Sequence, residues 1–342
     1  MPWELSVRII VFMSFVLTAA PITDAIAAQD YLYFKGKTIT LYAGQPPGGG
    51  IDSEMRLVAH YLGKSIPGEP GVVARNMPGA GGMVLGNHLF GVAKPDGLTL
   101  GMPGRSGFVL APVINLGDVK YDLAKFTWIG SSASTNFILW LRQTTGIRTF
   151  DQLRAGARLL AIGASGAGTA NSVVPEVLAR YQGFPFRVVR GYPGINQAVL
   201  AMERGEVDGV FVHRASMRPD LVETGLAVPI FQTFAIEPDL PVLERFATHP
   251  REVALLNLIN APQRLGLPLI GPPAMPEHVT RILRQSYARM VTSPEYIGEA
   301  NKRSIDVSQP STGEDLTDYV AKNLAAFPRE TIREYRDYVE RQ

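Results

Sequence analysis

No cysteine occurs among the 342 residues, which excludes disulfides, thiolate metal sites and a lipid-modified cysteine behind an export signal. Histidine is scarce too: His60, His88, His213, His249 and His278 are the five, and none stands in H-E-x-x-H or another ligand spacing, so no metal or other cofactor is expected. Charge of one sign is also missing. With 33 basic against 31 acidic residues and a net charge of +2, scattered along the chain, there is no electrostatic footprint for nucleic acid or an anionic membrane surface. What the chain does have is glycine and proline, 34 and 26 of them.

The length gives room for about two domains of ~150 residues each. The opening segment, "MPWELSVRIIVFMSFVLTAAPITDAIAA", places Arg8 before an apolar run from Ile9 to Ala20 and ends in small residues. It reads as a cleavable signal peptide over residues 1–27, because the run stops at Pro21, well short of the ~20 apolar residues that a membrane span needs. A protein of the bacterial periplasm, folding without disulfides, is the expectation.

After this segment, strand-length apolar runs alternate with helix-period stretches. "TITLYA" (38–43) alternates like a strand, and Met55, Val58, Ala59 and Leu62 follow at i, i+3, i+4, i+7. "GVVARN" and "GLTLGM" are the next strands. A second set, from "RLLAIG" (158–163) through "FRVVR", "VDGVFV" and "VPIFQTF", repeats the rhythm. Two α/β units, each with a largely parallel sheet, are therefore predicted. The tail from Pro276 reads as helical, and the passage "INAPQRLGLPLIGPPAMP" (259–276) reads as a connection between domains.

Glycine loops stand where strands of such sheets hand over to helices. Pro47 to Gly50 form the first, Pro78 to Gly82 the second, "GASGAGTAN" (163–171) the third, and "RGYPGIN" (190–196) enters the next helix. Ligands of open α/β sheets sit beyond the carboxyl ends of the strands, where helix N-termini offer free N–H groups and a positive dipole end. Anions suit such a place, and two such edges would hold a small molecule carrying a negative group at each end. Ser165 and Thr169 supply hydroxyl donors. Asp52, in the first turn of a helix, is expected to cap N–H groups and not to meet the ligand. Arg105, in "MPGRSG", stands where its fork would reach a carboxylate, and Arg190 and Arg214 stand similarly. Bulk at Gly49 or Gly81 is expected to weaken binding while sparing the fold.

Catalytic and nucleotide motifs fit poorly. "GKT" at 36–38 lacks the earlier P-loop glycine and precedes its strand, and no stretch gives G-x-G-x-x-G with a matching acid. The enzyme alternative is a secreted α/β serine hydrolase with Ser165, Asp208 and His249 in chain order, although Ala167 replaces the last glycine of the elbow.

"PPGGGID", "NMPGAGGMVLGN" and "KPDGLTL", in that order and spacing, resemble the receptors of tripartite tricarboxylate transporters, the Bug or TctC-like family of periplasmic solute-binding proteins. The resemblance implies a two-domain Venus-flytrap fold, type II-like, with no catalytic activity, a small carboxylate ligand held between the lobes, and delivery to membrane-embedded permease subunits. It implies a discontinuous domain 1 over 28–131 plus 252–342 and a domain 2 over 132–251, with crossings near 129–134 and within 251–273. A monomer is expected. Carried onto this chain, the ligand-binding residues are Pro47, Gly48, Gly49 and Gly50; Gly79, Ala80, Gly81 and Gly82; Ser165, Gly166, Gly168 and Thr169; and Tyr192, Pro193 and Gly194. Arg105, Ser106 and His213 complete the candidate site. Departures from the family pattern are Pro193, where many members have lysine, and Val212 where many have an acid, followed by His213 and Arg214.

Overall fold

The computed structural model describes residues 31–340 apart from Leu116, Ala157, Ala167, Gly168, Thr248, Ser304, Ala325 and Ala326. The segment 1–27, read above as a signal peptide, and Gly168 thus lie outside the described residues, as does the side chain of Ser106.

The first half begins with β1 (Thr38–Ala43), whose inward residues Ile39, Leu41 and Ala43 are fully buried. Next comes α1 (Gly50–Ser65), which turns Met55, Val58 and Leu62 onto the sheet, the face its spacing predicts. Then follow β2 (Gly71–Asn76), α2 (Met83–Gly91), β3 (Thr99–Met102), α3 (Ser106–Val113) and β4 (Thr127–Ser131). The chain crosses to a second sheet through β5 (Ile138–Arg142), α4 (Phe150–Ala155), β6 (Leu160–Gly163), α5 (Ala170–Gln182), β7 (Phe186–Val189), α6 (Ile195–Arg204), β8 (Gly209–Val212), α7 (Pro219–Glu223) and β9 (Ala227–Gln232). It returns by α8 (Pro250–Leu265) and β10 (Pro268–Gly271), and ends in α9 (Glu277–Val291), α10 (Pro294–Lys302), β11 (Ser311–Thr312), α11 (Gly313–Tyr319) and α12 (Arg329–Glu340).

The first sheet runs β11-β4-β10-β3-β1-β2 and the second β7-β6-β8-β5-β9. In the first, β1 pairs parallel with β2 and β3, while β10 lies antiparallel between β3 and β4. In the second, β6 pairs parallel with β7 and β8, and β5 runs antiparallel to β8 and β9. Each sheet with its helices forms a lobe of the periplasmic-binding-protein type. One apolar core, with Leu41, Met55, Leu269 and Leu283, lies under the first sheet. Another gathers Leu139, Ile162, Val174 and Phe231 of the second lobe, and it also takes in Leu255 and Ile259 of α8 and Leu110 of α3.

The passage 259–276 departs from its reading as a plain connection. Its first half completes α8, which continues through Pro262 because Leu258, Ile259, Ala261 and Leu265 are all buried there. Its second half holds β10, a four-residue strand, buried throughout, in the middle of the first sheet.

The two crossing segments lie side by side. Phe137 N–H donates to the Thr233 hydroxyl at 3.2 Å and Thr233 N–H to Phe137 O at 2.9 Å. Asn136 donates to the Gln232 side chain at 2.6 Å and to Phe234 O at 2.9 Å. Thr135 N–H reaches Gln263 O of α8 at 3.1 Å. Ser132, Thr135, Asn136, Gln232, Thr233 and Gln263 are all buried, so this joint is held by hydrogen-bonded polar groups.

Candidate functional site: the cleft between the sheets

The two strand orders place matching loops in layers. Moving outward from the crossing strands β4 and β5, the first lobe offers the carboxyl ends of β3, β1 and β2, and the second those of β8, β6 and β7. Arg105 follows β3 and His213 follows β8 on the innermost layer. The loop of Pro47 to Gly50 and the loop of Ser165 to Thr169 form the next one. Pro78 to Gly82 and Tyr192 to Gly194 lie at the outer edge.

In the first lobe the Pro78 to Gly82 loop and the turn after β3 are packed backbone on backbone. A Cβ on Gly107 would fall 2.7 Å from Gly81, and one on Gly44 would fall 2.3 Å from Pro103 O. Gly82 has φ +101°, and a Cβ there would come within 2.0 Å of the same carbonyl. The expectation that Gly81 tolerates bulk without harm to the fold is corrected here: at φ +63°, with Gly107 Cα 3.0 Å from its Cβ position, it has neither the conformation nor the space for a side chain. Gly49 is open, with only Pro46 O at 4.0 Å.

Asp52 fixes the first of these loops. Its carboxylate accepts from Gly48 N–H at 2.9 Å, from Arg56 Nε at 3.0 Å and from Asn76 Nδ2 at 2.8 Å, and Asn76 Nδ2 also bonds Gln45 O at 3.0 Å. Burial acts to raise the Asp52 pKa, but the bonds from Arg56, Gly48 and Asn76 together hold it below the ordinary value of 3.8. The Gly48 N–H is therefore committed to Asp52 and withdrawn from any solute. Gly49, the N-cap of α1, makes no side-chain cap, and the N–H groups of a helix first turn have no partner within the helix.

In the second lobe the hydroxyls are committed instead. Ser165 Oγ donates to Asn171 Oδ1 at 3.1 Å, and Thr169 Oγ1 bonds the same oxygen and Gly166 O. Asn171 Nδ2 is buried and without a partner among the described residues. A half-turn of that amide would set Nδ2 against both hydroxyl oxygens and release both protons. Gly191 N–H donates to Ser165 O at 3.1 Å, tying the outer turn to the loop. The Tyr192 ring lies 3.4 Å from the Cβ position of Gly163 at the end of β6. Pro193 is exposed, and Gly194 caps α6 in an extended conformation.

The three arginines separate cleanly. Arg190 pairs with Glu176 and donates to Ser172 Oγ at 2.9 Å. Arg214 pairs with Glu237 at 2.7 Å and lies over the Trp140 ring. Arg105, at the N-cap of α3, has a buried Nε with no hydrogen-bond partner among the described residues. Burial pulls its pKa down, while the charges of Glu54 and Asp306 act the other way. Across from it, His213 is held neutral: burial first, and Arg105 second, pull its pKa down to about 4. Its Nδ1 lies 2.7 Å from Asn136 O, a contact that requires Nδ1–H as donor and leaves Nε2 as a lone-pair acceptor.

Glu54 is the residue that sequence reasoning missed. It sits on α1 between Asp52 and Met55 and is 3% exposed, and its carboxyl accepts from Ser132 Oγ in the crossing segment. Burial pushes its pKa up to about 7, opposed by Ser132 and Arg105 and assisted by Asp306. A charged residue among the apolar positions of an amphipathic helix was the available signal.

The hydrolase residues are not brought together. Asp208 pairs with Arg158 at 2.8 Å and accepts from Ala161 N–H at 2.8 Å, so it serves the strand's opposite end from Ser165. His249 caps α8 and stacks near Tyr181, in the last turn of α5, whereas Ser165 lies before that helix begins. Among the described residues no group of three or more histidine, cysteine or acidic side chains is arranged to hold a metal ion, and no helix is long and apolar enough to cross a membrane.

Two mixed α/β sheets, each covered by its own helices, give the two-lobe fold of periplasmic solute-binding proteins. The family model for the tripartite tricarboxylate transporter family receptor matches residues 55–335, and the chain belongs to that family. It is 26% identical to a UPF0065 protein of Bordetella bronchiseptica over 259 residues, 72% of this chain and 74% of that one. A TctC solute-binding protein from Polaromonas, solved without ligand, superimposes with a TM-score of 0.68 at 17% identity, covering 90% of this chain and 99% of that one. MatC from Rhodopseudomonas palustris, solved with bound malate, gives a TM-score of 0.54 at 19% identity, covering 90% and 100%. At these identities the two structures speak for the fold.

Proposed function

We infer that this protein, exported through the signal peptide 1–27, captures a small organic carboxylate between domain 1 (28–131 plus 252–342) and domain 2 (132–251). It then hands the solute to the membrane-embedded subunits of a tripartite tricarboxylate-type transporter, and it has no catalytic role. One observation carries the reading: in both sheets glycine loops follow the carboxyl ends of parallel strands and lead into helix N-termini, and the buried Nε of Arg105 has no hydrogen-bond partner among the described residues. Helix N-termini and free N–H groups favour anions. MatC, of the same fold, holds malate, which supports a carboxylate as the anion here.

Calorimetry with mono-, di- and tricarboxylates, beside an esterase assay, tests the reading. The expected outcome is binding of at least one carboxylate, compaction in solution scattering on its addition, and no turnover. Ester hydrolysis abolished by Ser165→Ala, with no carboxylate bound, would replace this function with the hydrolase.

A further inference from the structure

The C-terminal helix follows the first lobe in the chain and packs against the second. α11 belongs to the first lobe: Leu316 is buried with Trp128 of β4 and Ile270 of β10, and so are Val320 and Leu324 of the π-helical turn (Val320–Leu324) that extends it. α12 leaves that core. Its buried Tyr335 joins Val174 and Leu178 of α5 and Leu255 of α8, and Ile332 and Tyr338 pack against the same cluster. Phe327, between the two helices, packs against both cores. The chain therefore passes between the lobes a third time.

One turn of α12 is bonded in two directions. Glu334 accepts from the Tyr181 phenol at 2.6 Å and pairs with Arg180 at 2.9 Å, both in the last turn of α5. Two residues on, Arg336 donates to the carbonyl of Ile114, at the end of α3. The last carbonyls of a helix have no partner within it, and a guanidinium there suits both the hydrogen bond and the dipole. α3 and α5 are capped at their other ends by Arg105 and Thr169, so each starts at a candidate ligand loop of its own lobe. At 1.5 Å of rise per residue, α12 meets them about 12 Å and about 20 Å beyond those loops.

We propose that α12 is a clasp: by bonding the far ends of α3 and α5 to one helical turn, it limits how far the two lobes can part. Leu110 and Ile114 of α3 also reach the second core, but apolar contact has no direction and lets surfaces slide, whereas an ion pair and a bonded carbonyl fix position. The passage from α11 to α12 supplies little restraint of its own. A cavity of about 730 Å³ separates it from α8, lined by Tyr319 and Phe327 on one side and Val253 and Asn257 on the other. The inference needs the two-lobe fold and no particular solute, so it stands or falls apart from the receptor reading.

Because the chain has no cysteine, nitroxide labels can be confined to Val92→Cys, at the end of α2 in the first lobe, and Leu200→Cys, on α6 in the second, both exposed. Pulsed electron resonance on the unliganded protein then reads the distance between the lobes. The parent and Arg333→Gln, an exposed change in α12, are expected to share one narrow distribution. Arg336→Gln should widen it to about twice the parent width or more, and Tyr181→Phe with Glu334→Gln should do the same, because the clasp holds only while both sides are bonded. All three changes together should widen it no further, and Arg336→Lys should recover part of the narrow width. Cooperative melting shows which variants fold; should Arg336→Gln not fold, the Tyr181 and Glu334 changes carry the same reading. Clasp variants that keep the parent width, or an Arg333→Gln as wide as they are, overturn the inference and leave α12 as a packing element of the second lobe.

Discussion

Where the first lobe presses Gly81, Gly82 and Gly107 against other backbone, the second leaves Gly166 and Gly191 in the open. A Cβ on Gly82 would lie 2.0 Å from Pro103 O, whereas one on Gly166 would meet only the Thr169 methyl, at 3.9 Å. The first lobe also spends a buried carboxylate, Asp52, on holding its loop. The second relies on a cluster of hydroxyls around Asn171 whose amide nitrogen is left over. The same loop chemistry thus rests on a rigid frame in one lobe and an adjustable one in the other. Glycine content alone does not distinguish them.

The sharpest way to break this comparison is to add one methyl group to each side. Gly82→Ala is expected to destabilise the fold by about 3–5 kcal/mol, through a backbone clash at a positive φ, and Gly166→Ala by no more than about 0.5 kcal/mol. Urea unfolding midpoints decide it, and equal effects would erase the distinction. Asp52→Asn should follow at about 2 kcal/mol, since the amide keeps the shape but loses charge-assisted bonds. The native Asp52 pKa lies below 3.8, so its contribution is complete above that value and fades as pH falls through the native one. The variant should therefore lose stability at neutral pH and show a shallower acid limb in a pH series of unfolding curves. The smallest effect belongs to the second lobe: Thr169→Val should change stability by about 1 kcal/mol and weaken carboxylate binding by about tenfold, read by calorimetry. A stability loss as large as that of Gly82→Ala would show that the Asn171 cluster is a frame after all.

Much of this arrangement is legible in the chain itself, because it is local. "TITLYA" followed by a glycine loop and Met55, Val58 and Leu62 specifies strand, turn and helix within 25 residues, Thr38 to Leu62, and all three appear where the pattern puts them. β10 is not legible. Three residues between Pro268 and Pro272 carry no period, and only the gap between β3 and β4 makes this stretch a strand. Nor does the sequence reveal which arginine is free, since Arg190 and Glu176 are 14 positions apart and Arg214 and Glu237 are 23 apart. Glu54 escaped notice for the opposite reason. Its meaning depends on Ser132, 78 residues away.

The position of β10 also orders events in time. Every strand of the second sheet lies between residues 138 and 232, so that lobe closes on contacts internal to one continuous stretch, with modest loop-closure entropy. The first sheet is split until residue 268 arrives, because β3 and β4 touch only through the strand that enters between them. In a chain that emerges from its N-terminus, the lobe that starts first must finish last. Until then the edges of β3 and β4 stand unpaired, and that interval is when the chain is most open to wrong partners.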